Sequence, residues 1–301
     1  MFWQSLVRSW IAKTAKERLY EEMSRAAREQ AGGQAGPGFA AREANDHDSE
    51  QSPRQRPCDV GIVFGLPLTR GAMEDRLDGV LRIDSHGLVA RQGGIRGRHV
   101  VLVDGARDSA QAAEATGLLI AGHKPAWVIA AGLASGLQPE LRRGDIMMAD
   151  HVLDESGRSL EIDLHLDPAE AAKHPGLHVG RIVTLERPFS TPTKKRELGS
   201  RYAALAADRE TFAVADVCRA EGTRFLAIRA ILDPVDVEQP AELGRISRPQ
   251  SGARRVGGML GAVWNRPASA KDMLDWQERA LTVSDRLAKF LEGVITQLVR
   301  V

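Results

Sequence analysis

The sequence predicts a three-layer α/β sandwich, a central sheet with helices on both faces, over residues 58–301. Two observations carry the prediction. From Cys58 onward, short runs rich in apolar and β-branched residues alternate with stretches of helical periodicity. Several of the short runs are apolar on both faces, as a sheet covered from either side requires.

Taken in order, strands are expected at "CDVGIVFG" (58–65), "HVVLVDG" (99–105), "AWVIAAG" (126–132), "DIMMADHVL" (145–153), "HVGRIVTL" (178–185), "YAALAAD" (202–208) and "RFLAIRAIL" (224–232). Helices are expected at 108–123, 191–201, 209–222 and 270–300, where apolar positions recur at helical spacing. Ahead of this domain, residues 1–29 place Phe2, Trp3, Leu6, Val7, Trp10 and Ile11 at helical spacing against a basic face. That amphipathic helix could dock on a partner, on its own core or on a membrane surface. Residues 30–57, rich in Gly, Pro, Ser and charge, read as a flexible linker. An insertion at about 239–269, with Arg254, Arg255 and Trp264, is too long for an ordinary connection and reads as a lid, an interface element or a surface insertion.

Composition narrows the partners. A formal charge of +1 over 301 residues argues against nucleic acid, which is met with clustered Lys and Arg, and points to small molecules. The two cysteines, Cys58 and Cys218, lie far apart in apolar runs, as reduced core thiols of a cytoplasmic protein would. No run approaches the ~20 apolar residues of a membrane span.

Two acids stand just past strand runs, Glu210 after 202–208 and Asp233 after 224–232. A carboxylate at the tip of a buried strand loses solvation unless something pairs with it. In open α/β sheets ligands bind at the carboxyl ends of strands, where both acids stand. Each has a plainer reading: Glu210 as a helix-start acid, Asp233 as a turn residue before Pro234. The glycines of "AAGLASGL" (130–137) read as a turn whose amides at Gly132, Leu133 and Ala134 can approach a ligand closely. In "EIDLHLD", alternation puts Asp163, His165 and Asp167 on one strand face, either solvated or, less commonly, a metal's. Zinc spacings, a phosphate loop and a nucleophile elbow are all missing from the sequence.

The order of "GIVFGLPL", "IAAGLASGLQPELRRGDIMMADHV", "AADRETFAVADVCRAEGTRFLAIRAILDPVD" and a closing helix resembles the purine nucleoside phosphorylase and nucleosidase superfamily, most closely its methylthioadenosine/adenosylhomocysteine nucleosidases. The resemblance implies a central mixed sheet, no cofactor, a small-molecule nucleoside as partner and a homo-oligomer. It implies that Glu210, in the family's Asp-Met-Glu motif, accepts hydrogen bonds from the ribose hydroxyls, and that Asp233 delivers a proton to the departing purine. Phe189 falls where the family stacks an aromatic on the base, and Arg209 replaces the motif's Met.

The position of the family's water-activating glutamate is Thr69, which is no base at neutral pH; Arg70, Glu74 or a water held by Thr69 are the substitutes at hand. Ala130 and Leu133 stand where the phosphorylases carry an arginine and a serine, which disfavours phosphorolysis. The expectation is a nucleosidase-like hydrolase cleaving the N-glycosidic bond of a purine nucleoside or thionucleoside, its two acids paired by the ligand and not by the protein. The alternative is a catalytically weak or silent nucleoside-binding scaffold of the same fold.

Overall fold

The structure, a computed structural model, describes residues 57–85, 88–104, 108–164, 171, 173–187, 189–238 and 267–298. The amphipathic segment 1–29, the linker up to residue 56, most of the insertion at 239–269, and His165 and Asp167 lie outside the described residues.

The sheet grows from β1 (Val60–Phe64), whose five residues are all buried. It pairs in parallel with β4 (Arg98–Asp104) on one side and β5 (Trp127–Gly136) on the other. Alternation sorts the side chains of these strands between two helical layers. Ile62, Phe64, Leu102 and Ile129 join a core that reaches Met73 of α1 (Pro67–Glu74) and Leu287 of the closing helix α5 (Pro267–Gln297). Val63, Val101 and Val128 face the other way, with Leu119 of α2 (Ser109–His123) and Val214 of α4 (Thr211–Ala220). Gly61 is where α2 comes closest, since a Cβ there would stand 2.7 Å from Leu119 Cδ2. The layers follow from strands apolar on both faces.

Beyond β5 the sheet curls onto itself. β10 (Arg224–Asp233) pairs in parallel with β5 and antiparallel with β6 (Ile146–Leu153). β6 pairs with β8 (Leu177–Thr184), β8 with β9 (Ala206–Asp208), and β9 returns to β5 at Ser135 and Gly136. Five strands thus form a closed ring, with the short β7 (Ser159–Glu161) appended to β6. The mixed central sheet between helical layers agrees with the fold expected from the sequence.

Two local expectations are corrected, and one element was not foreseen. Residues 131–136 are not a turn: β5 runs through them, because β10 pairs with them to Ser135 and β9 takes up the far end. The strand expected from Tyr202 starts only at Ala206; helix α3 (Pro192–Tyr202) continues to Tyr202 and ends on Ala203, at φ 47°, whose N–H bonds the Gly199 carbonyl. An unexpected hairpin, β2 (Asp78–Ser85) and β3 (Leu88–Ile95), extends the sheet beyond β4. Much of β2 faces solvent, with Leu81 59% exposed, so no burial imposes an apolar alternation on it.

Candidate active site

The sheet places a gap beside β5. On one side of that strand, β1 pairs as far as Ala131 and β9 begins at Ser135. Among the described residues no strand pairs with Gly132, Leu133 and Ala134 on that side, although β10 pairs with them on the other. This divergence of neighbours is the kind of crevice in which α/β sheets hold ligands. The three residues expected to approach a ligand therefore border it as strand and not as turn.

Glu210 sits at this gap. It is the N-cap residue of α4, yet its side chain makes no capping bond. Its carboxylate occupies space that two glycines leave open. A Cβ on Gly65, at the end of β1, would collide with Glu210 Oε1, and one on Gly132 would stand 3.5 Å from it and collide with the Arg229 guanidinium. The capping duty falls to Asp208, whose Oδ1 accepts from the Thr211 amide at 3.3 Å and the Thr184 hydroxyl at 2.9 Å.

Arg229, on β10 directly across from Gly132, is fully buried and binds both acids. Nη1 donates to Glu210 Oε1 at 2.9 Å and Nη2 lies 2.8 Å from Asp208 Oδ2; Nε and Nη2 also donate to the Thr211 hydroxyl. The expectation that only a ligand would pair Glu210 is corrected here: the chain supplies the partner. One guanidinium serves two carboxyl groups. Burial pushes the Glu210 carboxyl up and Asp208 adds to the push, while the Arg229 charge and hydrogen bond and the Arg209 amide oppose it.

Asp233 ends β10 on the other side of β5, 3% exposed and opposite Ser135. A bulge between Ile231 and Asp233 breaks the alternation just before it, which re-aims the last side chain relative to Arg229. Thr69, in the first turn of α1, is 1% exposed and its hydroxyl has no hydrogen-bond partner. Arg70 and Glu74 do not stand free to replace it as base: Arg70 pairs with Glu74 and, at 2.8 Å, with Asp104, while Glu74 also takes Arg91 at 3.2 Å.

A family model described as the phosphorylase superfamily matches residues 59–256. The chain belongs to the phosphorylase superfamily. Within it, the chain is 22% identical over 206 residues to the 5′-methylthioadenosine/S-adenosylhomocysteine nucleosidase of Tolumonas auensis, covering 60% of this chain and 89% of that one. Its fold is similar to that of the Neisseria meningitidis 5′-methylthioadenosine/S-adenosylhomocysteine nucleosidase solved with methylthio-immucillin-A, at a TM-score of 0.62, 19% identity and coverage of 81% and 100%. The futalosine hydrolase of Helicobacter pylori is similar to the same degree, at 0.61 and 18%, covering 81% and 99%. These likenesses bear on fold.

Within this superfamily chain, the remaining expected residues sit as follows. Arg209 donates its amide to Glu210 Oε2 at 3.2 Å, and its guanidinium makes one long bond, 3.4 Å, to the Glu186 carbonyl; its buried Nε has no partner. Phe189 packs half-buried against a separate apolar cluster that includes Leu153, Val183 and Leu198. Sequence reasoning missed Arg229, though a cation amid the apolar run of a strand interior was itself a signal, since it demands a buried counter-charge. A cavity of about 220 Å³ opens at the opposite end of β10, bordered by Trp127, Asp163, Arg219 and Arg224; neither Glu210 nor Asp233 lines it.

Proposed function

We propose that this superfamily member is a hydrolase of the N-glycosidic bond of a purine nucleoside or thionucleoside. The observation that carries the reading is the Glu210 carboxylate, held by Arg229 in the crevice between β1 and β9 with two glycines clearing its space. A carboxylate so placed accepts hydrogen bonds from a ribose diol. Cleavage passes through an oxocarbenium-like sugar, and the ionised form of a carboxyl group at this place favours positive charge developing beside it. Asp233, at the end of the strand on the other side of β5, delivers the proton that the departing base needs. Arg209 stands beside the diol-binding acid, and the edge of Gly132, Leu133 and Ala134 borders the sugar. The relatives named for methylthioadenosine, adenosylhomocysteine and futalosine are consistent with a nucleoside ligand. A cytoplasmic homo-oligomer accompanies this reading. Among the described residues no helix is long and apolar enough to cross a membrane.

The second reading, a nucleoside-binding scaffold without turnover, is favoured by Thr69, a buried hydroxyl where the resemblance puts the water-activating acid, with Glu74 committed to two arginines. The deciding experiment incubates the purified full chain with a panel of purine nucleosides and thionucleosides, with and without phosphate, and measures free base. Release independent of phosphate supports the hydrolase. Binding without release supports the scaffold, and neither binding nor release sinks both readings.

A further inference from the structure

Helix α3 carries three consecutive basic residues with different fates. Lys194 reaches Glu197 at 2.7 Å and Arg196 reaches Asp236, both at the surface. Lys195, between them, is wholly buried. A lysine is almost never fully buried unless its charge and donors are met, because burying an ammonium costs several kcal/mol. All three donors of Lys195 are met in one place, the turn that follows β10. Nζ donates to the Val237 carbonyl at 2.7 Å, to Pro234 at 3.0 Å and, at the limit of 3.5 Å, to Asp233. Carbonyls satisfy the donors but leave the charge. That is met by two carboxylates, Asp233 and Asp236, whose attraction opposes the stronger effect of burial, which pushes the ammonium's pKa down.

We propose that Lys195 is a positioning residue for Asp233: it clamps the backbone on which the acid sits and sets a positive charge beside its carboxyl group. The proposal rests on the reading of Asp233 as the proton donor. A clamp through the carbonyls of 233, 234 and 237 fixes a segment that the bulge at Ile231 has already turned out of strand register. The charge favours the carboxylate that remains once the proton has gone to the base. Other charged groups held to this stretch among the described residues include Arg196 from α3, Asp236 from the turn, Arg143 ahead of β6, whose Nε donates to the Leu232 carbonyl at 3.0 Å, and Arg229 of β10, already bound to Asp208 and Glu210. Of these, only Lys195 is bound to the Asp233 backbone itself.

The test compares the full chain with Lys195→Gln, which keeps a donor and loses the charge, and Lys195→Arg, which keeps the charge. The Asp233 carboxyl is followed by carbon-13 NMR across pH, its resonance assigned by its loss in Asp233→Asn, and base release is measured over the same range. In folded Lys195→Gln the Asp233 titration is expected to rise by about one pH unit, and the limb on which base release falls with rising pH moves up with it; Lys195→Arg leaves both in place. A clamp without electrostatic effect would lower the rate and leave the titration where it was, which overturns the proposal. Should Lys195→Gln fail to fold, the coupling is read from the other side: the Lys195 ammonium titration, followed by nitrogen-15 NMR, must fall in Asp233→Asn, and an unmoved titration overturns the proposal. The NMR readout needs no turnover, so a shifted titration without base release sinks the hydrolase reading while leaving the Lys195–Asp233 coupling standing.

Discussion

Arg229 holds Glu210 at 2.9 Å from the middle of β10, where its strand neighbours are apolar, and it holds Asp208 with the same guanidinium. The ribose-binding acid of the proposed reaction is thus braced from behind. Replacing Arg229 by Met removes the only cation paired with these two buried carboxylates among the described residues. Breaking a buried ion pair in this way costs about 3–5 kcal/mol. The urea midpoint of Arg229→Met is expected to fall steeply, and an unchanged midpoint would show that the group is solvated.

Gly65→Ala tests whether the space around Glu210 matters. The added methyl collides with Glu210 Oε1, so the carboxylate must leave its place, while the residue lies at the end of β1 and outside the main core. Nucleoside affinity should drop at least tenfold, and the thermal midpoint should fall too, because Oε1 is the atom that Arg229 holds. Undiminished binding measured by calorimetry would remove Glu210 from the site.

The two acids should fail differently. Asp233→Asn keeps a hydrogen-bonding group but cannot deliver a carboxyl proton, so base release falls by roughly 10²–10⁴-fold with binding largely kept. Glu210→Ala leaves ribose hydroxyls unpaired and weakens binding as well. Equal, small losses of turnover from both would contradict these roles.

Thr69→Glu places a carboxylate at a buried position whose present hydroxyl has no partner. If a general base is what the natural chain lacks, the variant should hydrolyse nucleoside faster, within the 10²–10⁴-fold such a group typically contributes. Fast hydrolysis by the natural chain would show instead that another residue activates water.

His123 gives the pH test of stability. It is buried at the end of α2, and burial, aided by the charge of His99, holds its pKa below the ordinary value of 6.5. In the unfolded chain it takes up a proton near that value, while the folded chain resists. The unfolded state therefore binds more protons as pH falls from about 6.5 toward the folded pKa, and stability declines across that window. His123→Gln should lose less stability than the natural chain between pH 7.5 and 5.5, as read by urea midpoints. Equal losses would mean the imidazole is solvated.

Much of this was readable in the residues. The strands buried on both faces, β1, β4, β5 and β10, announced themselves because a sheet under two helical layers admits few polar side chains. Glu210 and Asp233 were conspicuous as acids at strand ends. Arg229 was visible as a charge in "FLAIRAIL", but its partner could be found only when β10 was laid against β5. Lys195 had no signal, because it sits among exposed lysines and arginines in a polar helix and only the fold decides which one turns inward. The β2–β3 hairpin went unseen for other reasons: β2 is largely exposed and needs no apolar pattern, and in β3 the run Arg91–Gln92–Gly93–Gly94 interrupts one.

The closed ring of β5, β10, β6, β8 and β9 has a consequence for the order of synthesis. Asp208 and Glu210 leave the ribosome before Arg229, and so does every strand of the ring except β10. At about 5–20 residues per second, the nascent chain spends a second or more with both acids made and their counter-ion still to come. During that interval the ring has an open seam between β5 and β6, with unpaired backbone on both margins. The nascent domain cannot bury Asp208 and Glu210 as ions without Arg229, so its closing strand brings the cation and the missing hydrogen bonds at the same moment.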